Sequence, residues 1–152
     1  MVCMEKNDKE TVVFTIGHST RVLDAFINIL QAHSVTMVVD IRNGSTVKAQ
    51  SSVQQWNIAR QPAHLWHRLH AYSWTGLRHT RKDSHNMGWH NSSFRGFADY
   101  MQTEEFKKNL EELIRLAQSR QIALMCAEAL PWRCHRSLIA DALWVRDIGL
   151  ST

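Results

Sequence analysis

Four short segments hold most of the side chains able to do chemistry. Cys126-Ala127-Glu128 sets a thiol and a carboxylate two residues apart at the end of an apolar run. If that run is a strand, both point to one face. Glu128 there can act as a general base or a covalent nucleophile. Cys126 is a nucleophile if a cation lowers its pKa, and otherwise a small core hydrophobe. Pro131-Trp132-Arg133-Cys134-His135-Arg136-Ser137 places a second thiol at a helix start, between two arginines and beside a histidine, which favours a thiolate. Asp40-Ile41-Arg42 sets an acid and a base on one side of a strand. Asp40 can hold a histidine tautomer or a ribose hydroxyl, and Arg42 can fork onto phosphate or carboxylate; an internal ion pair is the bland alternative. Gly17-His18-Ser19-Thr20 reads as strand, turn and helix start, with free amides for an anion and His18 turned towards a crevice.

Several familiar chemistries do not fit. The Gly17 turn lacks the second glycine and the lysine of a Walker A loop. Cys126 and Arg133 invite comparison with the phosphatase and rhodanese loops. However, their C-x6-R spacing is one residue long for a phosphatase, and Ala-Glu-Ala-Leu-Pro-Trp has no glycines to ring an oxyanion. Cys126, Cys134, His135 and His18 would suffice as zinc ligands, but no C-x2-C pair or HExxH helix occurs. No metal is assigned, and the cofactor is unknown.

These segments need elements to position them. Thr11–Ile16, Thr36–Ile41 and Gln121–Ala127 read as buried strands, with a third strand between the last two at His64–Leu69. Leu23, Phe26, Ile27 and Leu30 form one helical stripe, for which Ser19 or Thr20 is the expected cap. Ser51–Gln61 is expected to hold a short helix. Thr103 caps a helix whose stripe is Phe106, Leu110, Leu113, Ile114 and Ala117; Glu104 and Glu105 suit its first turn. Ser137–Arg146 is the last helix. From Ser73 to Ser93 no period appears. Strands alternating with helices predict a single α/β domain over residues 11–152, an open and mostly parallel sheet flanked by helices, behind a frayed terminus at 1–10. Ligands of such sheets bind beyond the carboxyl ends of the strands, where all four segments fall.

Composition narrows the class. The chain has 152 residues, 44% hydrophobic and 21% charged, a globular balance for one core. No apolar run is long enough to cross a bilayer, and Met1–Glu10 has no secretory core, so a cytoplasmic protein without a membrane partner is expected. Its three cysteines fit no disulfide framework and are expected as thiols. The net charge of +4 is local in origin: Arg60–Arg95 holds six Lys/Arg residues, one acid (Asp83) and six histidines. That patch, interleaved with tryptophans, suits an anionic partner.

The segments T-I-G-H-S-T (15–20), V-V-D-I-R (38–42), G-W-H-N-S-S-F-R-G-F-A-D-Y-M (88–101) and L-M-C-A-E-A-L-P-W-R-C-H-R-S-L-I-A-D-A-L (124–143) closely resemble the domain-of-unknown-function family numbered 488. The resemblance implies a bacterial or archaeal α/β protein and no established reaction. It marks His18, Ser19, Asp40, Arg42, Arg95, Tyr100, Cys126, Glu128, Cys134, His135 and Arg136. The chain departs from the family pattern at Asn43–Gln50, which lacks the usual Pro and aromatic. Its final strand is expected to be cut short at Ile148–Thr152, leaving a sheet edge for a partner copy.

The leading expectation is an enzyme, a hydrolase or transferase, or else a sensor, for an anionic, nucleotide-like small molecule. Arg42, Arg95 and Arg136 would clamp the anion with Ser19, Asp40 and Tyr100 alongside; Glu128 would act as base or nucleophile, tuned by His18 and His135; Cys126 and Cys134 stand in reserve. Two alternatives remain: nucleic-acid binding through residues 60–95, and thiol-redox or sulfur-transfer chemistry through the two cysteines.

Overall fold

The computed structural model describes residues 11–41, 70–71 and 81–151. In chain order the elements are β1 (Val12–Gly17), α1 (Leu23–Ala32), β2 (Met37–Asp40), β3 (His70–Ala71), α2 (Ser92–Tyr100), α3 (Glu104–Ser119), β4 (Ile122–Cys126), a 3-10 turn (Pro131–Arg133), α4 (Arg136–Trp144) and β5 (Gly149–Ser151). The strands form one sheet in the order β3-β2-β4-β1-β5, every neighbour parallel. This is the open α/β architecture that the alternating pattern predicts. No helix among the described residues is long and apolar enough to cross a membrane.

The pleat sorts the strand side chains onto two faces. Ile16, Val38, Ala123 and Met125 pack with Phe26 and Leu30 of α1. Val13, Met37, Val39, Ile122, Leu124 and Cys126 turn the other way, onto the helices after β3 and β4. All five β4 residues are buried, as a central strand covered on both faces requires. The sheet order places β4 between β1 and β2. Right-handed crossovers running left from β1 and right from β4 therefore put α1 and α4 on opposite faces.

Local chemistry explains where helices start. The Thr103 hydroxyl accepts from the Phe106 amide at 3.2 Å, and Phe106, Leu110, Leu113 and Ala117 of α3 are buried. α2 begins inside the tail of the aperiodic stretch, where the Asn91 side-chain Oδ1 accepts from the Ser93 amide at 2.9 Å and the Phe94 amide at 3.3 Å. This helix was not expected; its signal was an asparagine cap before Phe94, Phe97 and Met101. The cap expected at Ser19 or Thr20 is corrected: α1 starts at Leu23 after Val22, with no side-chain cap. Ser19 lies in the left-handed region (φ 43°), and its amide is drawn to the Ala127 carbonyl instead.

Residues 81–91 are turns and bends held by one buried acid. Asp99 of α2 accepts from the Arg81 amide (3.1 Å), the Ser84 hydroxyl (2.7 Å) and the Asn86 amide (2.7 Å). The last strand is short but present, pairing Gly149–Ser151 with Val12–Phe14. The helix expected over 51–61 and the strand over 64–69 lie outside the described residues, as does nearly all of the basic stretch 60–80.

Candidate functional site

Because β1 and β4 are neighbours whose helices leave to opposite faces, a crevice opens at their carboxyl ends. The backbones there are laced together past the strands: His18 donates to the Cys126 carbonyl at 3.0 Å and Ser19 to Ala127 at 2.9 Å. His18 is buried, and its Nδ1 lies 3.2 Å from the Ser19 carbonyl oxygen, the acceptor of that contact. From the opposite face, α4 supplies Arg136, whose side chain is almost fully buried at 1% exposure. One Nη2 donates to both the Glu128 and Ala129 carbonyls at 3.0 Å, bracing the β4 loop from inside.

Among the described residues, the rest of that guanidinium has no acceptor: Arg136 Nε and Nη1 are buried and unpartnered, and so is Thr15 Oγ1 of β1. All three belong to residues lining a cavity of about 360 Å³. Its wall is apolar where Phe14, Ile29, Leu30 and Val35 meet, and Trp132 stands at 68% exposure on its rim. Buried donors without partners are uncommon in folded proteins, and a cation is the most expensive of them.

A thiol pair sits beside the same arginine. Cys126 and Cys134 share the same buried cluster. Cys126 Sγ also donates to the Glu128 carbonyl at 3.5 Å, and Cys134 Sγ accepts from the Arg136 amide at 3.5 Å. The neighbouring Cys126 thiol leads in lowering the Cys134 thiol to about 7, aided by the Arg136 amide and charge and opposed by burial. Cys126 is pushed up, by the neighbouring Cys134 first and by burial second.

The remaining residues singled out in the sequence go elsewhere. Glu128 leaves the strand face because β4 ends at Cys126. It lines a separate open groove with Trp89, Asn91, Phe94, Trp132 and Arg133. His135 turns to α2, where it stacks on Phe97 (4.9 Å between centroids) and its Nε2 meets Ser93 Oγ at 3.1 Å. Burial holds its pKa below the ordinary histidine value. Tyr100 is a core residue whose hydroxyl accepts from Asn109 at 3.0 Å. Arg95 is half-buried on α2, its Nη1 3.6 Å from the Met87 sulfur. Asp40 ends β2 opposite Met125, and Arg42 lies outside the described residues. Sequence reasoning missed Thr15 and Trp132. Among the described residues no three His, Cys, Asp or Glu side chains are grouped to hold a metal ion.

Residues 22–143 match a family model described as Domain of unknown function DUF488. The chain belongs to the DUF488 family. The matched stretch, well over half of the chain, includes Cys126, Cys134, Glu128 and Arg136, while the T-I-G-H-S-T segment precedes it. No curated protein and no solved structure matches the chain. The family description names no reaction, so chemistry at this DUF488 site rests on its geometry.

Proposed function

We propose that this protein binds a small organic anion in the cavity lined by β1, α1, Trp132 and Arg136, its charged head on Arg136 and its apolar body along Phe14, Ile29, Leu30 and Val35. One observation carries this: a guanidinium at 1% exposure, on a residue that lines the cavity, whose buried Nε and Nη1 have no acceptor among the described residues. A phosphate or carboxylate accepts from a guanidinium fork in charge-assisted bonds, and Thr15 Oγ1 adds a neutral donor. The volume lies in the range of small-molecule sites, and the mix of apolar wall and few polar groups is typical of them. A nucleoside monophosphate meets these requirements, with Trp132 and the tilted Phe14–His33 pair (5.3 Å between centroids) offering aromatic surface to a base.

The test is calorimetric titration with adenosine monophosphate, phenylacetate and inorganic phosphate. The organic anions should bind more tightly than phosphate alone, and Arg136→Gln should weaken them roughly tenfold or more, about 1.4 kcal/mol. Absence of binding by every anion at millimolar concentration, or equal binding by Arg136→Gln, overturns the proposal.

A further inference from the structure

Trp132 lines two hollows: the anion cavity, and an open groove of about 540 Å³ shared with Trp89, Asn91, Phe94, Glu128 and Arg133. That volume suits a small molecule. Trp132 is 68% exposed and Trp89 40%, so two indole rings stand in solvent at one groove. Apolar surface gathered in one place marks a binding face, whereas scattered single residues do not.

Both walls are held by contacts that leave the groove's charged side chains uncommitted. On one side Trp89 stacks on Phe94, 5.4 Å between centroids and 25° between planes, and its amide donates to the Asn86 carbonyl at 3.2 Å. On the other, the Arg133 amide donates to the Leu130 carbonyl at 3.1 Å, and Arg136 holds the Glu128 carbonyl at 3.0 Å. His135 ties the walls together, its Nε2 3.1 Å from Ser93 Oγ and its ring 5.0 Å from Phe94. Glu128 and Arg133 are exposed, and among the described residues neither takes part in an ion pair.

Three aromatic rings favour a flat ligand, because stacking needs a second π-face. A carboxylate and a guanidinium in the same groove then require that the ligand carry both donors and acceptors at its edges. Among the common nucleobases, guanine alone meets each in bidentate fashion. Its N1–H and N2 amino group are adjacent donors for a carboxylate, and its O6 and N7 are adjacent acceptors for a guanidinium. Adenine and cytosine set a ring acceptor beside the amino group, which a carboxylate repels. We propose that this groove recognises a guanine base, stacked on Trp89 and Trp132, with its donor edge on Glu128 and its acceptor edge on Arg133.

The experiment is calorimetric titration of the full chain with guanosine, adenosine and cytidine. None carries an anion, so the outcome is independent of binding at Arg136. Guanosine should bind roughly tenfold or more tightly than the other two. Glu128→Gln should remove most of that preference, and Trp89→Ala should weaken all three by about fivefold or more. Equal affinities, no binding at millimolar concentration, or an unchanged preference in Glu128→Gln overturns the proposal. The nucleoside series needs no variant, so it decides the matter even if a substitution disturbs the fold. The tetranucleotide UUGU, measured against UUUU, then identifies the source of the base. A guanine-dependent affinity above that of guanosine assigns the groove to single-stranded RNA, and an equal or lower one to a free nucleoside.

Discussion

Gly17 lies against the backbone of Glu128: a Cβ at Gly17 would fall 1.9 Å from the Glu128 carbonyl oxygen and 2.9 Å from the Ala129 α-carbon. The ends of β1 and β4 therefore touch through bare backbone. The same Glu128 carbonyl takes hydrogen bonds from Arg136 and Cys126, so the contact fixes the wall on which the site is built.

Gly17→Ala must push that loop away. We expect destabilisation of about 1–3 kcal/mol in urea unfolding, the usual range for forced overpacking, together with weaker anion binding. Gly88→Ala is the control, since nothing lies within 4 Å of the added carbon. Equal midpoints for the two variants would contradict the contact.

Arg136→Met separates the ligand role from the structural one. Two hydrogen bonds to the Glu128 and Ala129 carbonyls are lost, each about 0.5–1.5 kcal/mol, while a buried charge with no carboxylate partner among the described residues is relieved. The opposing terms should leave stability without ligand within about 1–2 kcal/mol of the parent. The rise in Tm with added adenosine monophosphate should disappear. A variant that keeps that rise would remove Arg136 from the site.

Asp99 makes stability depend on acid. Burial alone would raise its pKa, but hydrogen bonds from Ser84, Asn86 and the Arg81 amide win and hold the carboxyl below the usual carboxylate range. A depressed folded pKa means the unfolded chain takes up protons first. The stabilisation is complete above about pH 4 and is lost as pH falls through the folded value. Asp99→Asn turns one donor towards other donors and should cost about 1–3 kcal/mol at pH 7. The difference from the parent should narrow at pH 3, as denaturant titrations at both values will show.

The thiol pair gives the opposite end of the pH curve. Cys134 releases its proton near 7 in the folded chain and near 8.5 when unfolded, so stability should rise with pH between those values. Above them the raised Cys126 reverses the trend, because the unfolded chain ionises a thiol that the folded chain keeps protonated. Cys134→Ser should flatten the rise, and iodoacetamide should modify Cys134 with a midpoint near 7. Equal, slow modification of Cys126 and Cys134 would count against the opposite shifts of the two thiols.

The amino-acid order by itself determined the architecture. β-branched runs at Thr11–Ile16 and Thr36–Ile41, alternating with stripes such as Phe106, Leu110, Leu113 and Ala117, leave a parallel sheet as the only way to bury both faces of each strand. The order also marked the strand-end segments, because a fold of this kind exposes only those ends to a ligand. Which of their side chains meet was decided by the tertiary structure. β4 stops at Cys126, so Glu128 lines a groove apart from the thiol it follows in the chain, and His135 is taken up by Phe97 of a helix whose signal lay inside the aperiodic stretch. Arg136 became the buried cation and Thr15 its neighbour in the cavity only because α4 packs over the join between β1 and β4. Local pattern records which face of an element is apolar; the partner of a single polar atom depends on neighbours distant in the chain, and packing alone supplies them.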